Sequence, residues 1–246
     1  MNVLTDSPPP FEAIIFDCDS TLSAIEGIDE LAVDHADEIA ALTNAAMSGE
    51  VPLESVYAKR LELIRPTRAA IEAVGALYIE RCLKNVRELV DALHFLEKRV
   101  YVVSGGVRAA VSALAEHLGI ADERVHAVEV LHTESGEYAG FNESNPLARN
   151  GGKPEILRGL REPAAVLIGD GTSDLEAAGL TKRFIAFGGV VNRPAVASAA
   201  EVTCEANDFA ALLPLLCDRR ELARLAESPQ HEPLVRSAPN SHSSSE

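Results

Sequence analysis

Three short apolar runs in this chain each stop at the same kind of turn. Ala13 to Phe16 stops at Asp17-Cys18-Asp19-Ser20-Thr21, Val100 to Val103 stops at Ser104-Gly105-Gly106, and Ala165 to Ile168 stops at Gly169-Asp170-Gly171. Runs with no polar alternation read as strands buried on both faces. Helical stretches lie between them, and buried strands alternating with helices form a parallel sheet covered on both sides. Ligands of such sheets bind beyond the carboxyl ends of the strands, so the topology gathers these polar ends on one edge. The fold class is therefore α/β.

The rest of the chain falls around that sheet. Residues 1–10 are polar and end in three prolines, which suits a loose leader. Residues 27–81 look helical throughout: apolar residues recur at helical intervals from Ile28 to Met47, Pro52 opens a second helix that Pro66 closes, and a third covers Thr67 to Leu83. Several amphipathic helices without a strand predict a small helical cap packed as a unit. Residues 11–26 and 82–219 form the α/β core, in which residues 125–141 alternate like a hairpin around a Ser-Gly turn. The stretch 228–246 is rich in Ser and Pro and poor in apolar residues, and composition predicts a disordered tail.

The three strand ends have a consistent chemistry. Asp17 and Asp170 are hard oxygen donors suited to Mg²⁺, a cation that keeps waters and also binds phosphate. A carboxylate can serve as a covalent nucleophile, splitting one hydrolysis into two displacements. Asp19, two residues on, can protonate a leaving oxygen and later deprotonate water. Ser104 and Lys153, which follows Gly151-Gly152, can hold phosphate oxygens. Each element alone is unspecific: an isolated Asp-x-Asp is usually a turn, and most lysines are solvated. The strength lies in the ordered set.

Composition narrows the partners. With 22 basic and 38 acidic residues the net charge is −16, which repels nucleic acid and anionic membranes. There is no Trp, and aromatic residues make up 4%, too few for a base-stacking surface. The same charge repels an anionic substrate, so a phosphate site must carry its own cations. Four cysteines without a Cys-x-x-Cys spacing argue against zinc or a disulfide framework. No apolar stretch is long enough to span a bilayer, the N-terminus does not read as a secretory signal, and a cytoplasmic location is expected.

In this order, Asp-x-Asp-Ser-Thr, Ser-Gly-Gly, the later lysine and Gly-Asp-Gly-x-x-Asp resemble the four motifs of the haloacid dehalogenase superfamily. Residues 26–32 (EGIDELA), 47–52 with Lys59-Arg60, 136–141 (GEYAGF) and 184–196 (FIAFGGVVNRPAV) extend the resemblance to its phosphoserine phosphatase family, from about residue 11 to about 217. The resemblance implies a Rossmann-like three-layer core with an inserted cap, and hydrolysis of O-phospho-L-serine through an aspartyl-phosphate. Another small phosphomonoester is the alternative substrate.

By the same resemblance Asp17 is the nucleophile and Asp19 the general acid and base. Mg²⁺ sits on Asp17, the Asp19 carbonyl and Asp170, with Asp174 in support. Ser104, the Gly105 amide and Lys153 bind phosphate. Glu26 meets the substrate ammonium and Arg60 its carboxylate, although either is also readable as a cap-surface charge. Met47 covers the site, as a contact, a core residue or both, and Ser173 lies within reach of substrate. Arg193 reads equally as structural. Leu53, where an aromatic residue is common, and Ser173, where Asn or Thr is usual, depart from the family pattern.

Overall fold

The computed structural model describes residues 10–47 and 53–239. The chain opens with β1 (Ala13–Phe16), then α1 (Gly27–Leu31), α2 (Ala36–Met47), α3 (Leu53–Ile64) and α4 (Arg68–Glu80). It continues through α5 (Val86–Phe95), β2 (Arg99–Val107), α6 (Arg108–His117), β3 (Val125–Val128), β4 (Val130–His132) and β5 (Tyr138–Phe141). After these come α7 (Gly152–Leu160), β6 (Ala165–Gly169), α8 (Thr172–Ala177), β7 (Arg183–Phe187), α9 (Pro194–Ala199) and β8 (Val202–Cys204). The described chain closes with α10 (Leu213–Leu216), α11 (Arg219–Glu227) and α12 (Glu232–Ser237).

Six strands form one sheet in the order β3-β2-β1-β6-β7-β8, all parallel. Because β1 lies between β2 and β6, the chain reverses its direction of travel across the sheet there, and a crevice opens beyond the strand ends. Side chains of β1 alternate. Ile14 and Phe16, with Cys18 beyond, enter the larger core with Leu89, Leu93 and Phe209. Ala13 and Ile15 enter the opposite core with Leu157 and Leu167. The same alternation turns Cys18 away from the aspartates beside it, and burial pushes its thiol up. It packs, as the sequence predicts.

The two ends of the helical insert lie side by side: the Ala24 amide donates to the Arg81 carbonyl and the Leu83 amide to the Leu22 carbonyl, both at 3.0 Å. The long first helix expected over residues 28–47 is instead α1, a 3₁₀ turn at Val33–His35 and α2. Thr67 caps α4 by accepting from the Ala70 amide at 3.2 Å. Ile71, Val74, Gly75 and Tyr78 then lie on the buried face of α4. Gly75 allows a close approach to α6, since a Cβ there would lie 3.0 Å from Ala113 Cβ. Thus α4 is part of the larger core, whereas the sequence pattern groups it with a separate cap.

The pair β4–β5 is antiparallel, as the Ser-Gly turn implies. It props the insert: the Arg68 amide donates to the Gly136 carbonyl at 2.9 Å, and the Phe141 ring lies 5.5 Å from that of Tyr57.

The tail expectation is corrected for residues 228–239. Pro233 stands in the first turn of α12, where a missing amide hydrogen costs nothing. Leu234 and His231 are buried, and His231 Nε2 lies 3.1 Å from Asp91 Oδ2. A single well-placed leucine and histidine anchor a segment whose average composition reads as disordered. Residues 1–9 and 240–246, which include the rest of the leader and tail, lie outside the described residues.

Candidate active site

The carboxyl ends of β1, β2 and β6 deliver Asp17, Ser104 and Asp170 to one place. The Asp17 amide continues the ladder by donating to the Ile168 carbonyl at 2.9 Å. Lys153, in the first turn of α7, is buried and points into this cluster. Its Nζ lies 2.9 Å from Asp17 Oδ1 and 2.6 Å from Asp174 Oδ1. Burial alone would lower the lysine's pKa, but the two carboxylates outweigh it and hold the ammonium charged. Asp174 also accepts from the Gly171 amide at 3.1 Å. Gly169 is required beside it, because a Cβ there would lie 2.2 Å from Asp174 Cγ.

Asp19 is held from three directions. The Gly27 amide donates to Oδ1 at 2.7 Å, the Tyr78 hydroxyl donates to the same oxygen at 2.5 Å, and the Ser104 hydroxyl donates to Oδ2 at 3.2 Å. Position 27 must be glycine, since a Cβ would lie 2.1 Å from the Tyr78 oxygen. Burial raises the Asp19 pKa and the Asp17 charge raises it further, against the three hydrogen bonds. A raised carboxyl is disposed to carry a proton, as a general acid must.

One oxygen each of Asp17, Asp170 and Asp174 lies within 4.8 Å of the others. Burial and then the Asp17 charge raise the Asp170 carboxyl, with Arg193 opposing, and burial pushes Asp174 up to about 7. Hard oxygen donors in a group whose negative charge is incompletely balanced fit a divalent cation. The sequence-predicted donors Asp17 and Asp170 are in this group, with Asp174 beside them.

The substrate-side residues divide. Glu26 lies at the rim, accepting from the Ser20 hydroxyl at 2.6 Å and lying 3.7 Å from Arg193 Nη2. Burial, then the Asp19 charge, push its carboxyl up to about 7. Arg60, in α3, pairs through Nη2 with Asp29 of α1. Gly105 lies beside Ser104, facing the Leu147 carbonyl. Ser173 is exposed in the first turn of α8. Met47 ends α2, and its side chain, like that of Leu53, lies outside the described set.

Sequence reasoning left the role of Arg193 open and gave none to two other contributors. Arg193 donates through Nε to Asp170 Oδ2 at 3.0 Å and so belongs to the site. Thr21 donates to Asp170 Oδ1 at 3.4 Å. Tyr78 reads in the sequence only as one more residue on the apolar face of α4; its hydroxyl is what distinguishes it.

The haloacid dehalogenase-like hydrolase family model matches residues 14–179. The chain belongs to this family. Among its relatives, phosphoserine phosphatase of Bos taurus is 38% identical over 196 residues, covering 77% of this chain and 87% of that protein. The Homo sapiens phosphoserine phosphatase is 38% identical over 191 residues, covering 75% and 85%. A solved substrate-bound phosphoserine phosphatase complex superposes with a TM-score of 0.70 at 26% identity, covering 85% of this chain and 100% of that one. A phospho-aspartyl intermediate analogue of phosphoserine phosphatase gives 0.69 at 26% identity, with the same coverage.

Proposed function

We propose that this chain is a phosphoserine phosphatase, hydrolysing O-phospho-L-serine to L-serine and phosphate through an aspartyl-phosphate on Asp17. The observation that carries the reading is the convergence of Asp17, Asp19, Ser104, Lys153 and Asp170 on one sheet edge, in a chain 38% identical to phosphoserine phosphatases.

Asp17 Oδ attacks phosphorus and the bond to the seryl oxygen breaks. Asp19 supplies the proton that this oxygen needs to leave as an alcohol. Asp19, now ionised, takes a proton from water; the hydroxide attacks phosphorus, the Asp17 oxygen leaves, and phosphate is released. Lys153, the Ser104 hydroxyl and the Gly105 amide hold the phosphate oxygens where charge is concentrated. Asp17, Asp170 and the Asp19 carbonyl would hold Mg²⁺, with Asp174 supporting. When bound, the cation neutralises charge on the transferring phosphoryl group. Arg60 receives the substrate carboxylate and Glu26 the ammonium, whose positive charge would draw the Glu26 carboxyl back into its ionised form. The family resemblance assigns Met47 and Ser173 to the substrate's path.

The test is phosphate release from L-phosphoserine, phosphothreonine and p-nitrophenyl phosphate, with and without Mg²⁺, by the wild type and by Asp17→Asn. Metal-dependent preference for phosphoserine is expected, with at least about 10⁴-fold loss in the variant and an unchanged fold. Substantial activity in Asp17→Asn would remove the assigned nucleophile. Activity on the aryl ester alone would favour another small phosphomonoester.

A further inference from the structure

Two polar atoms of α3, the Tyr57 hydroxyl and Arg60 Nε, are buried without a hydrogen-bond partner among the described residues. Residues three apart are neighbours on a helix surface, so these two belong to one face. The Tyr57 ring is fixed by Phe141 of β5, with centroids 5.5 Å apart and planes inclined at 59°. The other arm of the guanidinium, Nη2, is already engaged by Asp29, which orients the group and leaves Nε unmatched.

A buried hydroxyl without a partner costs about 1–3 kcal/mol, and phenylalanine would fill the same space without that cost. No described residue answers to this oxygen, and it is left to meet a bound group. Its surroundings say where. Burial and the Asp19 charge push the phenol up while the Arg60 charge opposes them, so the hydroxyl stays a neutral donor within reach of both fields. Asp19 stands at the reacting end of the site and Arg60 at the end that takes the substrate's carboxylate. A hydroxyl within the field of both is able, on the phosphoserine reading, to meet a substrate that runs from one to the other.

Resting on the phosphoserine reading, we propose that Tyr57 is a specificity-determining residue whose hydroxyl, together with Arg60 Nε, donates a hydrogen bond to the carboxylate of the amino-acid phosphate. Arg60 Nε–H can only donate, and the phenol donates readily, so the pair matches an acceptor with several lone pairs. An ammonium group at this point would meet the Arg60 charge, which assigns the amino group elsewhere. Two donors of fixed geometry select substrates that carry an acid at this distance from the phosphate and penalise those that lack it.

The experiment compares kcat and KM of the wild type and Tyr57→Phe on L-phosphoserine and on O-phosphoethanolamine, which differs only in lacking the carboxylate. Thermal melting of both proteins runs alongside. The variant is expected to lose about ten- to hundredfold in kcat/KM on phosphoserine, mainly through KM, as for a hydrogen bond to a charged group. It should keep its rate on phosphoethanolamine within about twofold and melt no lower than wild type, since an unpaired hydroxyl has been removed. Equal losses on both substrates, or none on either, would overturn the role assigned to Tyr57. A wild type that does not prefer phosphoserine would instead overturn the substrate reading itself, and the carboxylate contact with it.

Discussion

Asp19, the proposed general acid, illustrates how much of such a group's behaviour is set by residues far away in sequence. Its carboxylate is pinned by Gly27 and Tyr78, one on α1 and the other on α4, so the inserted helices fix the orientation of an acid that β1 supplies. Tyr78 is fully buried, and its ring would pack equally well as phenylalanine. Tyr78→Phe is therefore expected to leave folding and KM nearly unchanged while lowering kcat about ten- to hundredfold, because only the hydrogen bond to the charged form is lost. Steady-state kinetics on phosphoserine check this; an unchanged kcat would reduce Tyr78 to a packing residue. Asp17, Asp19, Ser104, Lys153 and Asp170 were legible in the sequence because each sits at a strand end or helix start marked by its own small neighbours. Tyr78 was not, and Arg193 was legible only as a residue of open role, because each reaches the site from an element whose direction only packing decides. The ion pair that engages Arg60 was hidden for the same reason: Asp29 and Arg60 are thirty-one residues apart and meet only when α1 and α3 are in place.

At the scale of elements, buried strands announced themselves by unbroken apolar runs, and the parallel sheet followed from their alternation with helices. The interruption between α1 and α2 did not, since apolar spacing continues across Val33–His35. Nor did α12, whose two anchoring side chains are diluted by polar neighbours. A further tie at the amino edge of the sheet was also invisible. Glu162, in the loop between α7 and β6, accepts from Arg99 Nε at 2.8 Å and Arg99 Nη2 at 2.7 Å, and from the Tyr101 hydroxyl at 2.9 Å. The two Arg99 bonds, opposed by burial, hold its carboxyl below the usual range. A carboxyl with a depressed folded pKa contributes stability above its unfolded pKa and loses it as pH falls through the folded value. Glu162→Gln should therefore cost at most about 1 kcal/mol at neutral pH, given solvent screening, and progressively less below roughly pH 4.5. Urea denaturation at pH 7 and pH 4 checks it; an equal cost at both would show that charge is not what the contact contributes. Activity should be untouched, because the tie lies at the opposite edge from Asp17.

For the whole molecule, the polarity of the sheet separates chemistry from reinforcement. The carboxyl edge collects three buried aspartates, the half-buried Asp19, and the cations Lys153 and Arg193 that partly balance them, a local arrangement that lets a chain of net charge −16 receive an anionic ester. The C-terminal segment packs on the larger-core face, against α5 and α11. Asp91 of α5 accepts from Gln230 at 2.5 Å and lies 3.1 Å from His231 Nε2, whose ring stacks 4.7 Å from Phe95; the Ser228 hydroxyl lies 2.9 Å from Nδ1. Leu234 completes the seal beside Leu225 of α11. Burying one leucine side chain is worth about 1.5–3 kcal/mol, and in a protein of this size each kcal/mol moves Tm by about 2–4 °C. Ending the chain after Glu227 is therefore expected to lower Tm by roughly 5–10 °C, since the stacking and hydrogen bonds at Phe95 and Asp91 go with the leucine. The kcat and KM for phosphoserine at 25 °C should stay at wild-type values, because no residue beyond Glu227 touches the carboxyl edge among those described. Leu234→Ala should reproduce part of the loss, about 1–2 kcal/mol, at or below the low end for a buried leucine because the terminal helix can relax around the gap. A truncation that melts normally would mean that α12 adds nothing to the fold. One that melts normally but turns over slowly would mean that it acts on the site across the width of the sheet, through α5 and the Leu83–Leu22 contact where the insert rejoins the core.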